Sequence, residues 1–130
     1  MKSGEINSLF KNLGKIIKNP KTDLSYKNKF TLLVSVVLSA QCTDVNVNNV
    51  TRNIYKKYNK PEHFLKLGRK KIETLIKKIN FFRNKAKSVY LLSKQLIEQH
   101  NSKVPKNFEK LIGLPGVGRK TASVVLNEGF

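Results

Sequence analysis

The stretch FTLLVSVVLSA, Phe30 to Ala40, is apolar on every side. It shows neither the strict alternation of a half-buried strand nor the one-sided stripe of a surface helix. Such a segment has to be covered all round. Its valines favour a strand locally, but no other part of the chain offers a strand partner. The expectation is therefore a central helix with other helices packed around it. The segment is far short of the ~20 apolar residues that a membrane span needs, so no membrane partner is expected.

The flanking patterns fit helices. Ile6, Leu9, Phe10, Leu13, Ile16 and Ile17 recur at spacings of three and four, one apolar stripe on a helix. Asn19-Pro20 ends it, because proline lacks the donor and restricts the residue before it. Residues 1–20 are thus one helical unit, and residues 21–130 the main domain. Thr43-Asp44 reads as an N-cap, opening a helix to about Tyr58 with Val47, Val50, Ile54 and Tyr58 inward. Pro61 starts a short helix that Gly68 ends. A second short helix covers about Lys70 to Lys77, and Asn80 breaks the pattern. A long helix runs from about Arg83 to Gln99, its inner stripe including Ala86, Val89, Leu92, Ser93 and Leu96. Pro105 is expected to start a short helix carrying Phe108, Leu111 and Ile112, and Thr121 to Asn127 the last one. Helices joined by short connectors make the class all-α, a helical bundle.

Charge narrows the partner. The chain has 26 Lys and Arg against 8 Asp and Glu, a net charge of +18. That surface attracts polyanions, nucleic acid first and anionic membrane second. A bias towards Lys, Asn and Ile across a whole genome would give a similar balance, so charge alone does not decide. Cys42 is the only cysteine, which excludes an internal disulfide and a thiolate metal site. The chain reads as cytoplasmic and is expected to be a monomer. His63 and His100 have no metal-ligand company and read as surface or helix-end residues. The small side chain of Cys42 is expected to belong to the core.

Leu114-Pro-Gly-Val-Gly-Arg-Lys-Thr-Ala122 decides more. Between two helical patterns, Pro115 presets φ, and Gly116 and Gly118 permit positive φ and close backbone approach. Amides exposed in such a turn beside a helix N-terminus make an anion site, with DNA phosphate as the natural ligand of a basic protein. Arg119 and Lys120 add charge there. This is the helix–hairpin–helix signature of DNA binders that do not read sequence, placed at about residues 107–127.

With those residues in hand, the chain resembles the endonuclease III family, DNA glycosylases and abasic-site lyases of the helix–hairpin–helix superfamily. LPGVGRKTASVVLN matches the family's hairpin and following helix, and Leu38-Ser-Ala-Gln-Cys-Thr-Asp44 its "LSAQ-x-TD" segment. Leu67-Gly68, Ile79 and Asn84-Lys85-Ala86 match in order between them. The resemblance implies a helical glycosylase fold and base-excision repair of double-stranded DNA at oxidised pyrimidines and abasic sites, in the bacterial nucleoid. It implies Lys120 as the catalytic nucleophile, forming a Schiff base at the sugar and cutting the strand by β-elimination. An amine must shed its proton to attack. A helix N-terminus, Arg119 and partial burial are the local features expected to help. Gln41 would fill the gap left by the flipped base, and Phe81 stands where the family commonly inserts a leucine wedge. Asn80 stands where glycine is common. Leu114, Gly116, Val117, Gly118 and Arg119 complete the expected DNA contacts.

Two family features lie outside these 130 residues. One is an aspartate in a "VDTH"-like segment after the lysine helix. The other is a set of four cysteines holding a [4Fe–4S] cluster, expected only with a C-terminal continuation. The resulting expectation is an N-terminal fragment with reduced or no activity, its first helix lacking the cluster domain that covers it in the family. The alternative is a non-catalytic helix–hairpin–helix DNA-binding module.

Overall fold

The computed structural model describes residues 23–130, which fold into six helices: α1 (Lys29–Leu38), α2 (Asp44–Lys57), α3 (Pro61–Leu75), α4 (Phe82–Gln99), α5 (Phe108–Ile112) and α6 (Arg119–Gly129). The helix expected over Ile6–Ile17 lies outside the described residues. No strand occurs among the described residues, in keeping with the all-α expectation. No helix among them is long and apolar enough to cross a membrane.

Helix α1 is the axis of the bundle. Every residue from Phe30 to Leu38 is buried, and α2, α4 and α6 pack around it. A capping box starts it. Asn28 Oδ1 accepts from the Thr31 amide at 2.8 Å, and Thr31 Oγ1 accepts from the Asn28 amide at 2.9 Å. Two polar side chains enter this dry environment, and both are satisfied. The Ser35 and Tyr55 hydroxyls share a hydrogen bond of 2.6 Å, and Tyr55 also donates to the Thr31 carbonyl at 3.1 Å. Burial pushes the Tyr55 phenol above its ordinary pKa, partly offset by the Ser35 bond.

Thr43 caps α2 as expected, its Oγ1 accepting from the Asn46 amide at 3.1 Å. Val47, Ile54 and Tyr55 face inward, with Val50 and Tyr58 half-buried at the margin. Residues 23–25 lie against the start of this helix. The Ser25 amide donates to Asn48 Oδ1 at 2.7 Å, and the Asp23 amide to Asp44 Oδ2 at 3.2 Å.

Gly68 divides α3 as expected. With φ 82° and ψ 159° it puts a sharp kink between two helical halves that otherwise run on. The second half ends at Leu75 rather than Lys77, because Ile76 leaves helical geometry at φ −106° and ψ 21°. The chain then turns through Ile79, whose buried side chain fixes the loop before Asn80. Helix α3 packs along α4, whose inner stripe includes Ala86, Val89, Leu92, Ser93 and Leu96.

Pro105 does not start the next helix. Asn107 does, its Oδ1 accepting from the Lys110 amide at 2.9 Å. A side-chain acceptor satisfies a free helix amide, which proline cannot do, so Pro105 remains in the connector. Helix α6 begins at Arg119, two residues before the expected Thr121, and buries Ala122, Val124 and Val125.

Side chains around the axis should therefore dominate stability. Leu33→Ala removes a fully buried side chain and is expected to cost about 2–5 kcal/mol. Val45→Ala, at a position 70% exposed, is expected to change stability by less than about 0.5 kcal/mol. Urea unfolding followed by circular dichroism checks the contrast.

Candidate active site

The hairpin expected from Leu114 to Ala122 is α5, a turn and α6. The turn hydrogen-bonds internally: the Leu114 amide donates to the Leu111 carbonyl at 3.0 Å, and the Val117 amide to the Leu114 carbonyl at 3.1 Å. Both side chains are buried. With their side chains in the core and their amides already bonded, Leu114 and Val117 anchor the turn.

Gly116, Gly118, Arg119 and Lys120 differ. Their amides have no hydrogen-bond partner among the described residues. Gly118 is the N-cap of α6 and provides no side-chain cap, so the first turn of the helix presents open N–H groups. Successive free amides at a positive helix end form an anion site. Arg119 stands at the same end, with its guanidinium 5.3 Å from the centre of the Phe108 ring, a cation–π contact that ties α6 to α5.

The glycines of the turn are not equivalent. Gly116 has φ 77°, and a Cβ there would lie 2.6 Å from Cβ of Ser88 on α4. Gly118 has φ −96° and open space around it. The turn thus presses its backbone on α4 at Gly116, and a second tie follows at Gly113, whose carbonyl accepts from Gln95 at 3.2 Å.

Lys120 borders a cavity of about 370 Å³ between α6 and the loop after α1. Gln41 and Cys42 line it from the loop, Asp44 from the start of α2, and Lys120, Thr121 and Val124 from α6. The partial burial expected of Lys120 is not found; the residue is exposed. Ala122 and Val125 take the core-facing side of α6, which leaves its second residue at the cavity mouth. Cys42 is half-buried, packed against the edge of the core where it lines the cavity, and its Sγ accepts from Asn46 Nδ2 at 3.1 Å.

Gln41 and Phe81 stand at the tips of two adjoining loops. Both are in the left-handed region, at φ 57° and 58°, a costly conformation for residues other than glycine or asparagine. Both are exposed, Phe81 by 60%. Asn80 Nδ2 donates to the Gln41 carbonyl at 2.9 Å, linking the loops. The structure therefore brings Gln41 beside Lys120 in one cavity and places Phe81 next to Gln41 through Asn80.

Sequence reasoning missed three contributors. Asp44, read mainly as a cap, is the one carboxylate in the cavity lining among the described residues. Asn80, read as ending a helix and standing where the family commonly has glycine, holds the Gln41 carbonyl. Lys85 is buried in α4 and donates from Nζ to the Leu38 carbonyl at 2.8 Å and to the Ala40 carbonyl. Burial pushes its pKa below the ordinary lysine value, with Cys42 acting in the opposite direction. Its place on the inner stripe of α4, one residue before Ala86, was the available signal.

The [4Fe–4S] cluster implied by the resemblance requires four thiolates. This chain has one cysteine, and no group of three or more His, Cys, Asp or Glu among the described residues could hold a metal ion. The residues present do not fit the cluster.

Residues 34–126 match the family model of the HhH-GPD superfamily base excision DNA repair protein, and the chain belongs to that family. It is 49% identical to endonuclease III of Rickettsia conorii over 98% of its own length, and it spans about 60% of that relative. A solved structure of a trapped endonuclease III–DNA covalent intermediate is similar at TM-score 0.82 and 43% identity, over 84% of this chain and 51% of that one. A non-covalent endonuclease III–DNA complex is similar at TM-score 0.85 and 38% identity, over the whole of this chain and 61% of that one.

Substitution separates the two glycines. Gly116→Ala meets Ser88 and a positive φ together. It is expected to cost about 1–3 kcal/mol from the backbone alone, and to weaken duplex binding as the turn shifts. Adding Ser88→Gly should recover the steric part only. Gly118→Ala meets neither a clash nor a positive φ and should lose only about 0.5–1 kcal/mol, the advantage of glycine over alanine at an N-cap. Urea midpoints and duplex affinity of the three variants, beside the wild-type chain, check this.

Proposed function

We propose that the chain acts in DNA base-excision repair, removing oxidised pyrimidines from double-stranded DNA and cleaving abasic sites by β-elimination, with Lys120 as the nucleophile. The observation that carries this is the position of Lys120 as second residue of α6. It lies among the open amides that suit a phosphate and at the mouth of the cavity that Gln41 lines. The comparisons support it, since one of the similar structures holds endonuclease III joined covalently to DNA. Bacterial relatives support work in the cytoplasm, at the nucleoid, and we read the chain as a monomer.

The roles follow from that geometry. Gly116, Gly118 and the first turn of α6 would hold a backbone phosphate, with Arg119 adding charge. A base must leave the stack before its glycosidic bond can be reached. Gln41 would then occupy the gap, its flat amide bonding the base opposite, and Phe81 would wedge the duplex open.

The Lys120 amine would attack the sugar C1′. A C–N bond forms, and the glycosidic bond breaks with its electron pair leaving on the base, which takes up a proton. The ring then opens to a Schiff base. Loss of a C2′ proton expels the 3′ oxygen and cuts the strand. At an abasic site the amine condenses with the aldehyde and water departs, reaching the same intermediate.

Borohydride reduces that intermediate to a stable amine, so incubation with abasic duplex should leave a covalent protein–DNA adduct. The adduct should vanish in Lys120→Ala while duplex binding persists. Binding without an adduct in the wild-type chain would leave a non-catalytic DNA-binding module. Affinity should fall with salt, with a log–log slope of about −0.9 per neutralised phosphate; a flat response would remove DNA as the partner.

A further inference from the structure

Gln41 and Phe81 both hold a backbone conformation that their side chains do not favour, at φ 57° and 58°. Neither is asparagine, aspartate or glycine, the residues that enter this region most readily. Something outside each residue must hold it. Within the Gln41 loop, the backbone supplies the Cys42 amide to the Ser39 carbonyl at 3.0 Å. The remaining ties come from across the bundle.

Three side chains supply them. Lys85, only 7% exposed, reaches from α4 to the Leu38 and Ala40 carbonyls, 47 and 45 residues earlier in the chain. Asn80 holds the carbonyl of Gln41 itself at 2.9 Å. Asn46 bridges Cys42 Sγ and the Lys78 carbonyl at 3.1 and 3.3 Å. The backbone of Lys85 makes the first hydrogen bond of α4, its amide donating to the Phe81 carbonyl at 3.0 Å. The helix that begins at the second tip therefore carries the side chain that holds the first.

We propose that Lys85 and Asn80 are positioning residues, a brace that sets Gln41 and Phe81 as one preformed wedge before DNA arrives. The proposal rests on the reading that Gln41 and Phe81 enter the duplex. A loop ordered in advance does not have to be ordered on binding, and that difference appears as affinity. The gain belongs only to DNA that accepts the wedge. Undamaged duplex held by the α6 turn should not sense the brace. Selectivity for a vacant site should.

The probe is a short duplex carrying a tetrahydrofuran abasic analogue opposite 2-aminopurine, compared with the same duplex undamaged. Asn80→Ala, Lys85→Met, Lys85→Arg and Gln41→Ala are measured beside the full wild-type chain, each with a thermal melt. Asn80→Ala and Lys85→Met are expected to bind undamaged duplex with wild-type affinity. They should lose about tenfold in preference for the abasic duplex, equivalent to about 1.4 kcal/mol, together with the 2-aminopurine fluorescence change. Lys85→Arg, which keeps a cation with several donors, should recover part of both. If Lys85→Met does not fold, Asn80→Ala and Lys85→Arg decide.

The brace is overturned if these variants keep preference and fluorescence change while Gln41→Ala loses them. It is overturned too if they lose affinity equally for both duplexes, since that is general destabilisation. If Gln41→Ala itself behaves as wild type, the reading of Gln41 as the entering residue has failed, and the brace goes with it.

Discussion

Burial of α1 on all faces is the constraint from which the rest of the molecule follows. A helix with no solvent-facing side needs neighbours on every side, and α2, α4 and α6 provide them. It must also satisfy its own polar groups without water, because an unpaired group in such surroundings costs about 1–3 kcal/mol. Ser35 and Thr31 do so through Tyr55. At its end the carbonyls of Leu38 and Ala40 would be left open, and Lys85 answers them. An ammonium at the negative end of a helix is favourable in sign, which offsets part of the cost of burying it.

The loop leaving that end carries Gln41, so the most buried element of the fold delivers one of its most exposed functional candidates. Helix α4 repeats the pattern. Its N-cap is Phe81, Lys85 holds the Gln41 loop, Ser88 lies under Gly116, and Gln95 holds Gly113. One helix therefore touches both loop tips and the hairpin. Sites built on packed helices keep their geometry better than sites on free loops. Here, three short loops gain that precision by fastening to one helix.

Legibility followed the same division. The all-round apolar run, the Thr43 cap, the Gly68 break and the Leu114–Ala122 hairpin were readable because each depends on local chemistry. Pro105 misled because proline suits a helix start, whereas Asn107 provides the cap. Distant partnerships could not be read. Nothing in the order of residues says that Lys85 reaches carbonyls 47 and 45 residues earlier, or that Asn80 holds Gln41. Asp44 shows the same limit. Its position after Thr43 announces a helix start, while its membership of the cavity with Lys120 depends on α6 packing on α1.

Within the hairpin, duties divide residue by residue. Leu114 and Val117 spend their side chains on the core and their amides on the turn, so they fix its shape. Gly116 and Gly118 have no side chains to spend, and their amides have no partner among the described residues. Lys120 has both an amide with no partner among the described residues and an exposed side chain. On the proposed reading, the same residue holds a phosphate through its backbone and attacks a sugar through its amine. Because it is exposed, water would have to be displaced from around the amine by the DNA itself. A grip on the adjacent phosphate would then do two things at once. It would set the distance from amine to sugar, and it would bring up the surface that excludes solvent from the reaction.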